Sequence, residues 1–185
     1  MVSLSDAKVL GGIGSILLVL SVIPSAGPIL GIVGLILVLI AVKYISDVVA
    51  DKQIFDNMLI SVILGIIGLA AGAIVGFASM FTLFKGEFPF RAGIRPEEFF
   101  APRMGAFLFN IIIMFIIVWV FMIISAIFLR RSLNAIASKL DIKMFSTAAL
   151  LFLIGAIIPI IGLILMFIAS ILLAVAFFSI PEKHP

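Results

Sequence analysis

The sequence predicts an all-α membrane protein with about six transmembrane helices arranged as three hairpins. Three observations predict it. Of 185 residues, 65% are apolar and only 11% charged, whereas water-soluble domains carry about 25% charged residues. The apolar residues come in runs of about 18 or more without a charge, the length that crosses a hydrocarbon core. They do not alternate with polar residues as the strands of an outer-membrane barrel do.

The first hairpin occupies 3–47. Ser5 or Asp6 is expected to cap its first helix. The run ends near Val22, at Pro24-Ser25-Ala26-Gly27-Pro28. Proline cannot continue the hydrogen-bond ladder, and glycine lets the chain reverse. Pro28 then suits the first turn of a second helix reaching about Tyr44. Each leg is about 17–18 residues, roughly 26 Å at 1.5 Å per residue, against a core of about 30 Å. A re-entrant hairpin that does not fully cross is therefore an open alternative.

A charged interlude over 46–56 reads as a short interfacial turn of helix or a loop. The central hairpin, 57–129, begins with a helix over 57–84. There Gly65, Gly68, Gly72 and Gly76 line a face that lets another helix approach closely, the arrangement in which dispersion is gained between apolar surfaces. The pattern leaves open whether the partner is internal or a second copy of the chain. The stretch 85–103 mixes three prolines with charges and phenylalanines and reads as a loop on the membrane surface, or as a ligand-contacting loop. A bulky helix follows over 104–129. Within it, Asn110 is expected to bridge helices or to face a substrate path.

Over 130–140, Leu133, Ile136, Ala137 and Leu140 recur at spacings of three and four, flanked by Arg130, Arg131, Lys139 and Lys143. That pattern predicts a separate short amphipathic helix on an anionic leaflet, its basic residues touching lipid headgroups. Asp141 is expected to cap the fifth helix, and the last hairpin, 141–182, turns at Pro159 and Gly162. Aligned without a gap, 3–47 and 138–182 match at 13 of 45 positions, including Ser3/Ser138, Asp6/Asp141, Lys8/Lys143, Pro24/Pro159, Gly27/Gly162 and Ala41/Ala176. The matches predict a parallel internal repeat.

With six crossings, eight of the twelve lysines and arginines fall on one side and four on the other. By the positive-inside rule both termini and the amphipathic segment are cytoplasmic.

Away from their ends, in the core of the membrane, the spans hold no Asp, Glu, Lys, Arg or His, which argues against proton relays and charged selectivity rings. Cysteine is absent and the single histidine is His184. No HExxH, no strand-borne phosphate loop and no serine with a histidine base is present. No catalytic, cofactor or metal site is expected, and no nucleic-acid partner. The expected partners are membrane lipid and other membrane chains. The functional expectation is a non-enzymatic protein acting through helix–helix contact, as a homo-oligomer or an accessory subunit. A passive channel for a small neutral solute, or a lipid-handling or membrane-shaping protein, is the alternative.

Three stretches carry a family resemblance: 5–14 (SDAKVLGGIG), 32–47 (IVGLILVLIAVKYISD) and 174–181 (AVAFFSIP). With them the chain resembles an archaeal family of integral membrane proteins known as domain of unknown function 996. The resemblance implies an archaeal plasma membrane and a small multi-helix fold. It implies no activity and transfers no site residue.

Overall fold

A computed structural model describes residues 3–84 and 96–181, the side chains of 82–84, 96–103 and 160 excepted. It contains six helices: α1 (Leu4–Leu20), α2 (Gly27–Val48), α3 (Lys52–Phe84), α4 (Pro96–Leu140), α5 (Lys143–Ile157) and α6 (Pro159–Phe178). Among the described residues there is no strand. Four of the helices, α2, α3, α4 and α6, contain stretches long and apolar enough to cross a membrane. The chain divides into two compact units, 1–63 with 123–185, and 64–122.

In the first unit the helix ends are set by short polar signals. Ser3, not Ser5 or Asp6, is the N-cap of α1. Its hydroxyl accepts from the Asp6 N–H at 3.2 Å, and the Asp6 carboxylate accepts from the Ser3 N–H at 3.3 Å. This reciprocal box satisfies two of the free donors of the first turn.

The 46–56 stretch is mostly helical. α2 runs on to Val48 and stops because Ala50 takes a left-handed conformation, φ 54°. The Asp51 N–H then reaches back to the Ser46 carbonyl at 3.0 Å, the bond that closes a helix C-terminus of this kind. The Asp51 carboxylate accepts from the Gln53 N–H at 3.1 Å and so caps α3.

The same device ends α4, and there two expectations fail. Asp141 does not cap α5; it sits at φ 55° while the Ile142 N–H bonds the Ala137 carbonyl at 3.1 Å. Ile142 is the N-cap of α5 and offers no side-chain bond. Aspartate tolerates both the N-cap and the left-handed position, so its identity alone does not choose between them. Nor is there a separate amphipathic helix. α4 is continuous over 45 residues, through Arg130 and Arg131 at one end and through 96–103, expected as loop, at the other. Residues 85–95 of that expected loop lie outside the described residues.

The core explains why the 130–140 segment stays attached. Leu133 and Ile136 have no exposed surface and join Ile54 and Met58 of α3, Val42 and Ile45 of α2, and Phe145 and Phe177. The period of three and four is there, but it faces protein and not a leaflet. The core gathers where α1, α3 and α5 begin and α2, α4 and α6 end. Ser132 fastens α4 to α3 by donating to the Ile54 carbonyl at 2.7 Å, and Ser125 by donating to the Ser61 carbonyl at 2.9 Å. Ser15 and Ser170, by contrast, return their hydroxyl protons to their own helix, as serines in apolar helices commonly do.

α1 packs on both α2 and α6, and α5 packs on α6. Close approach of α1 and α2 rests on Gly14 and Gly34, where an added Cβ would come within 2.8 Å and 2.7 Å of the other's carbonyl oxygen. Phe177 of α6 fills the space above Gly11 of α1 and meets the Phe145 ring edge-on, centroids 5.1 Å apart. Edge-to-face contact is a favoured arrangement of two aromatic rings.

Candidate functional site

The glycine face of α3 belongs to the 64–122 unit, and its partner is α4 of the same chain. A Cβ on Gly68 would lie 2.5 Å from the Phe121 Cβ, one on Gly76 2.9 Å from the Met114 sulfur, and one on Gly72 would overlap a Val118 methyl. Gly65 lines a small apolar recess of about 120 Å³ beside Gly68 and Phe121. The face is therefore covered internally, and it no longer argues for a second copy of the chain. Asn110 lies on α4 in this unit and is half-buried.

The hairpin turns hold up in position and differ in form. In the first, 21–26 make an irregular turn containing Pro24, and Gly27 and Pro28 open α2. In the second, Ile158 alone separates the helices, and Pro159 is the first residue of α6. Proline fits there because the first helical N–H has no intrahelical acceptor. One backbone bond is shared: the Gly27 N–H donates to the Ile23 carbonyl and the Gly162 N–H to the Ile158 carbonyl, each at 2.7 Å. No charged residue stands in either turn.

All four basic residues of the expected headgroup contact, Arg130, Arg131, Lys139 and Lys143, are exposed. Lys139 approaches Asp51 at 3.7 Å, and Lys43 pairs with Asp47 at 2.7 Å. Pairs this exposed contribute about 0–1 kcal/mol. What they mark is a level: among the described residues of this unit every charge sits at the starts of α1, α3 and α5 or the ends of α2 and α4.

At that level the structure assembles a feature the sequence did not disclose. The first turns of α3 and the last turns of α4 border an open notch of about 500 Å³, lined by Gln53, Asp56, Asn57, Arg131, Asn134 and Ala135. Asn134 borders the notch, and its Oδ1 is buried and accepts no hydrogen bond from the described residues. The Arg131 guanidinium stands over the Phe128 ring, 5.4 Å from its centroid, a cation–π contact that limits its freedom. The signal existed as polar residues three and four apart on each helix. Starting the third helix at 57, apart from a short turn of helix or a loop over 46–56, hid it, because that spacing has meaning only along one continuous helix.

A family model described as a protein of unknown function, DUF996, matches residues 30–171. The chain belongs to the DUF996 family. The matched span contains α3, α4 and α5 entire, and with them the glycine face and the notch. It includes the resemblance read at 32–47, while 5–14 and 174–181 lie outside it. This DUF996 chain is also similar to the uncharacterized protein MJ1644 of Methanocaldococcus jannaschii, with 32% identity over 152 residues, 82% of this chain and 77% of that protein. No solved structure matches.

Proposed function

We propose that this DUF996 chain is a multi-pass protein of an archaeal plasma membrane that works by contact with lipid and with other membrane chains, as a homo-oligomer or an accessory subunit, without catalysis. One observation carries the reading. In the 1–63 and 123–185 unit the charges collect at one end of the helices, while large aliphatic side chains stand exposed along the rest, Ile29, Ile32, Leu163 and Ile164 among them. A surface of that kind is stable in hydrocarbon and costly in water. The excess of Lys and Arg at the charged end supports a cytoplasmic placement for it and for both termini.

Two parallel copies of one hairpin, α1–α2 and α5–α6, fit this reading. Gly27 and Gly162 make the shared turn bond, and Ala41/Ala176 and Ile45/Ile180 are buried pairs at the same offset. The likeness starts at Lys8/Lys143, because Ser3 and Asp6 form a cap whereas Ser138 and Asp141 end α4. α1 and α5, at 17 and 15 residues, span about 26 and 23 Å, so full crossing needs local thinning of the bilayer.

The absence of native cysteine makes the test clean. Ala50→Cys is expected to react with an impermeant maleimide only from the cytoplasmic side, and Ser25→Cys only from the outside. Labelling of both from one face would remove the crossing of the first hairpin. Native mass measurement after mild extraction addresses the partner. A single chain with no second protein at any detergent concentration would refute contact between chains.

A further inference from the structure

We propose that the notch between the start of α3 and the end of α4 seats the polar headgroup of a membrane amphiphile, a phosphate bearing a hydroxyl or ammonium group. The inference rests on the membrane reading above and adds a specific site to it. It begins from the Asn134 Oδ1, a buried acceptor without a donor. Buried polar atoms in folded proteins nearly always have a partner, and the described residues supply none; a donor brought by the occupant of the notch accounts for it. Reversing the carboxamide would place a buried NH2 there instead, which asks for an acceptor. A group offering both satisfies either orientation.

The lining selects the chemistry. It holds one cation, Arg131, one anion, Asp56, and the three carboxamides of Gln53, Asn57 and Asn134. Asp56 disfavours a simple anion and Arg131 disfavours a metal cation. A group that carries hydroxyl or ammonium protons beside its phosphate meets every member: phosphate on the Arg131 fork, protons on the Asp56 carboxylate and the Asn134 Oδ1. The space, about 500 Å³, far exceeds the roughly 30 Å³ share of one water.

An apolar track leads away from the notch on both helices. Ile60 and Ile63 follow Asp56 at helical spacing on α3, and Ile127 and Ile124 precede Arg131 in the same way on α4. All four are exposed, between 38% and 46%. Polar seat and aliphatic track stand in the order of a headgroup and its chains, with the seat at the charged level of the unit. A soluble phosphate would have no use for the track.

The test uses the full chain, recovered from membranes and held in detergent. It is titrated with phosphatidylethanolamine, with phosphatidylglycerol and with inorganic phosphate alone, and retained ligand is counted by native mass spectrometry. Arg131→Gln and Asn134→Leu are each expected to weaken lipid retention about tenfold, the loss expected for a charge-assisted or buried hydrogen bond. Ala135→Phe, which fills the notch while keeping every polar group, is expected to do the same. Lys43→Gln, an exposed charge outside the notch, is expected to leave retention unchanged. Equal retention in all variants would mean that the notch holds only water and would overturn the proposal. So would displacement of lipid by millimolar inorganic phosphate, which would make it a free-anion site, or an equal loss on Lys43→Gln, which would make it general surface charge. A chain recovered outside the membrane fraction would refute the membrane reading itself, a failure distinct from these.

Discussion

Gly34→Ala and Gly31→Ala differ by one helical turn on α2 and should differ in sign. A methyl at position 31 meets the Ser21 Cβ at 3.4 Å, an ordinary contact. At position 34 it meets the Gly14 carbonyl oxygen at 2.7 Å, the Leu18 amide nitrogen at 3.0 Å and the Leu17 Cβ at 3.1 Å. Two of those three atoms are backbone of α1, so no rotamer change relieves them. The helices must separate by about 0.7 Å to restore 3.4 Å, and a gap of about 0.5–1 Å forfeits a quarter to a half of each contact's attraction. Between helices in lipid that dispersion is most of what holds the pair. Overpacking of this kind costs about 1–3 kcal/mol. Replacing glycine by alanine inside a helix gains about 1 kcal/mol, but the gain is common to both variants and cancels in their comparison. Gly34→Ala should therefore be about 1–3 kcal/mol less stable than Gly31→Ala, read from helical circular dichroism during denaturation in mixed micelles. Equal stability within about 0.5 kcal/mol, the scatter of neutral surface changes, would refute the close-contact reasoning. Adding Gly14→Ala to Gly34→Ala should cost less than the sum, since one separation relieves both clashes.

Gly72→Ala should lose about 1–3 kcal/mol by overpacking against Val118, and Val118→Ala in the same chain should recover much of it. Failure of the second change to help, in the same denaturation assay, would place the glycine's partner elsewhere. Ala50→Gly should stabilise by about 1 kcal/mol, because the left-handed conformation penalises a Cβ by about that much; a lowered midpoint would contradict the corner described between α2 and α3. Phe177→Ala removes a ring with no exposed surface and should cost about 3–5 kcal/mol, with Phe178→Ala, half exposed at 44%, costing distinctly less.

Sequence and structure agree where the backbone itself is constrained. Pro24, Gly27 and Pro28 announced a turn because proline and glycine alter the allowed dihedrals, whatever surrounds them. They part company where polarity changes around an unbroken helix. Arg130 and Arg131 mark a change of environment, and that reads like a helix end although the hydrogen-bond ladder of α4 passes through them. The glycine spacing on α3 implies a close neighbour, but periodicity describes only one of two surfaces; the identity of the other is a matter of topology. Leu133 and Ile136 show the same limit, since an apolar stripe facing a leaflet and one facing a core have one pattern. The notch was illegible for a compound reason: its residues come from two different helices, and the sequence separates the first turn of one of them, 52–56, from the helix that follows.

The seating of Phe177 over Gly11 bears on the order of events during synthesis. α1 is synthesised first, yet the side chain that fills its glycine surface arrives with α6, after four other helices have been made. Until then the first helix has only α2 to hold it, and its second packing face is open to lipid or to a chaperone. The slow step in maturation should accordingly be the docking of the last hairpin on the first, with the layer of charged helix ends closing only when that docking is complete. Contacts between such distant parts of a chain pay the largest loop-closure cost and form late. An α6 with an altered aromatic at 177 should therefore leave the earlier hairpins inserted but unlocked, a state that membrane proteases can distinguish from the finished protein.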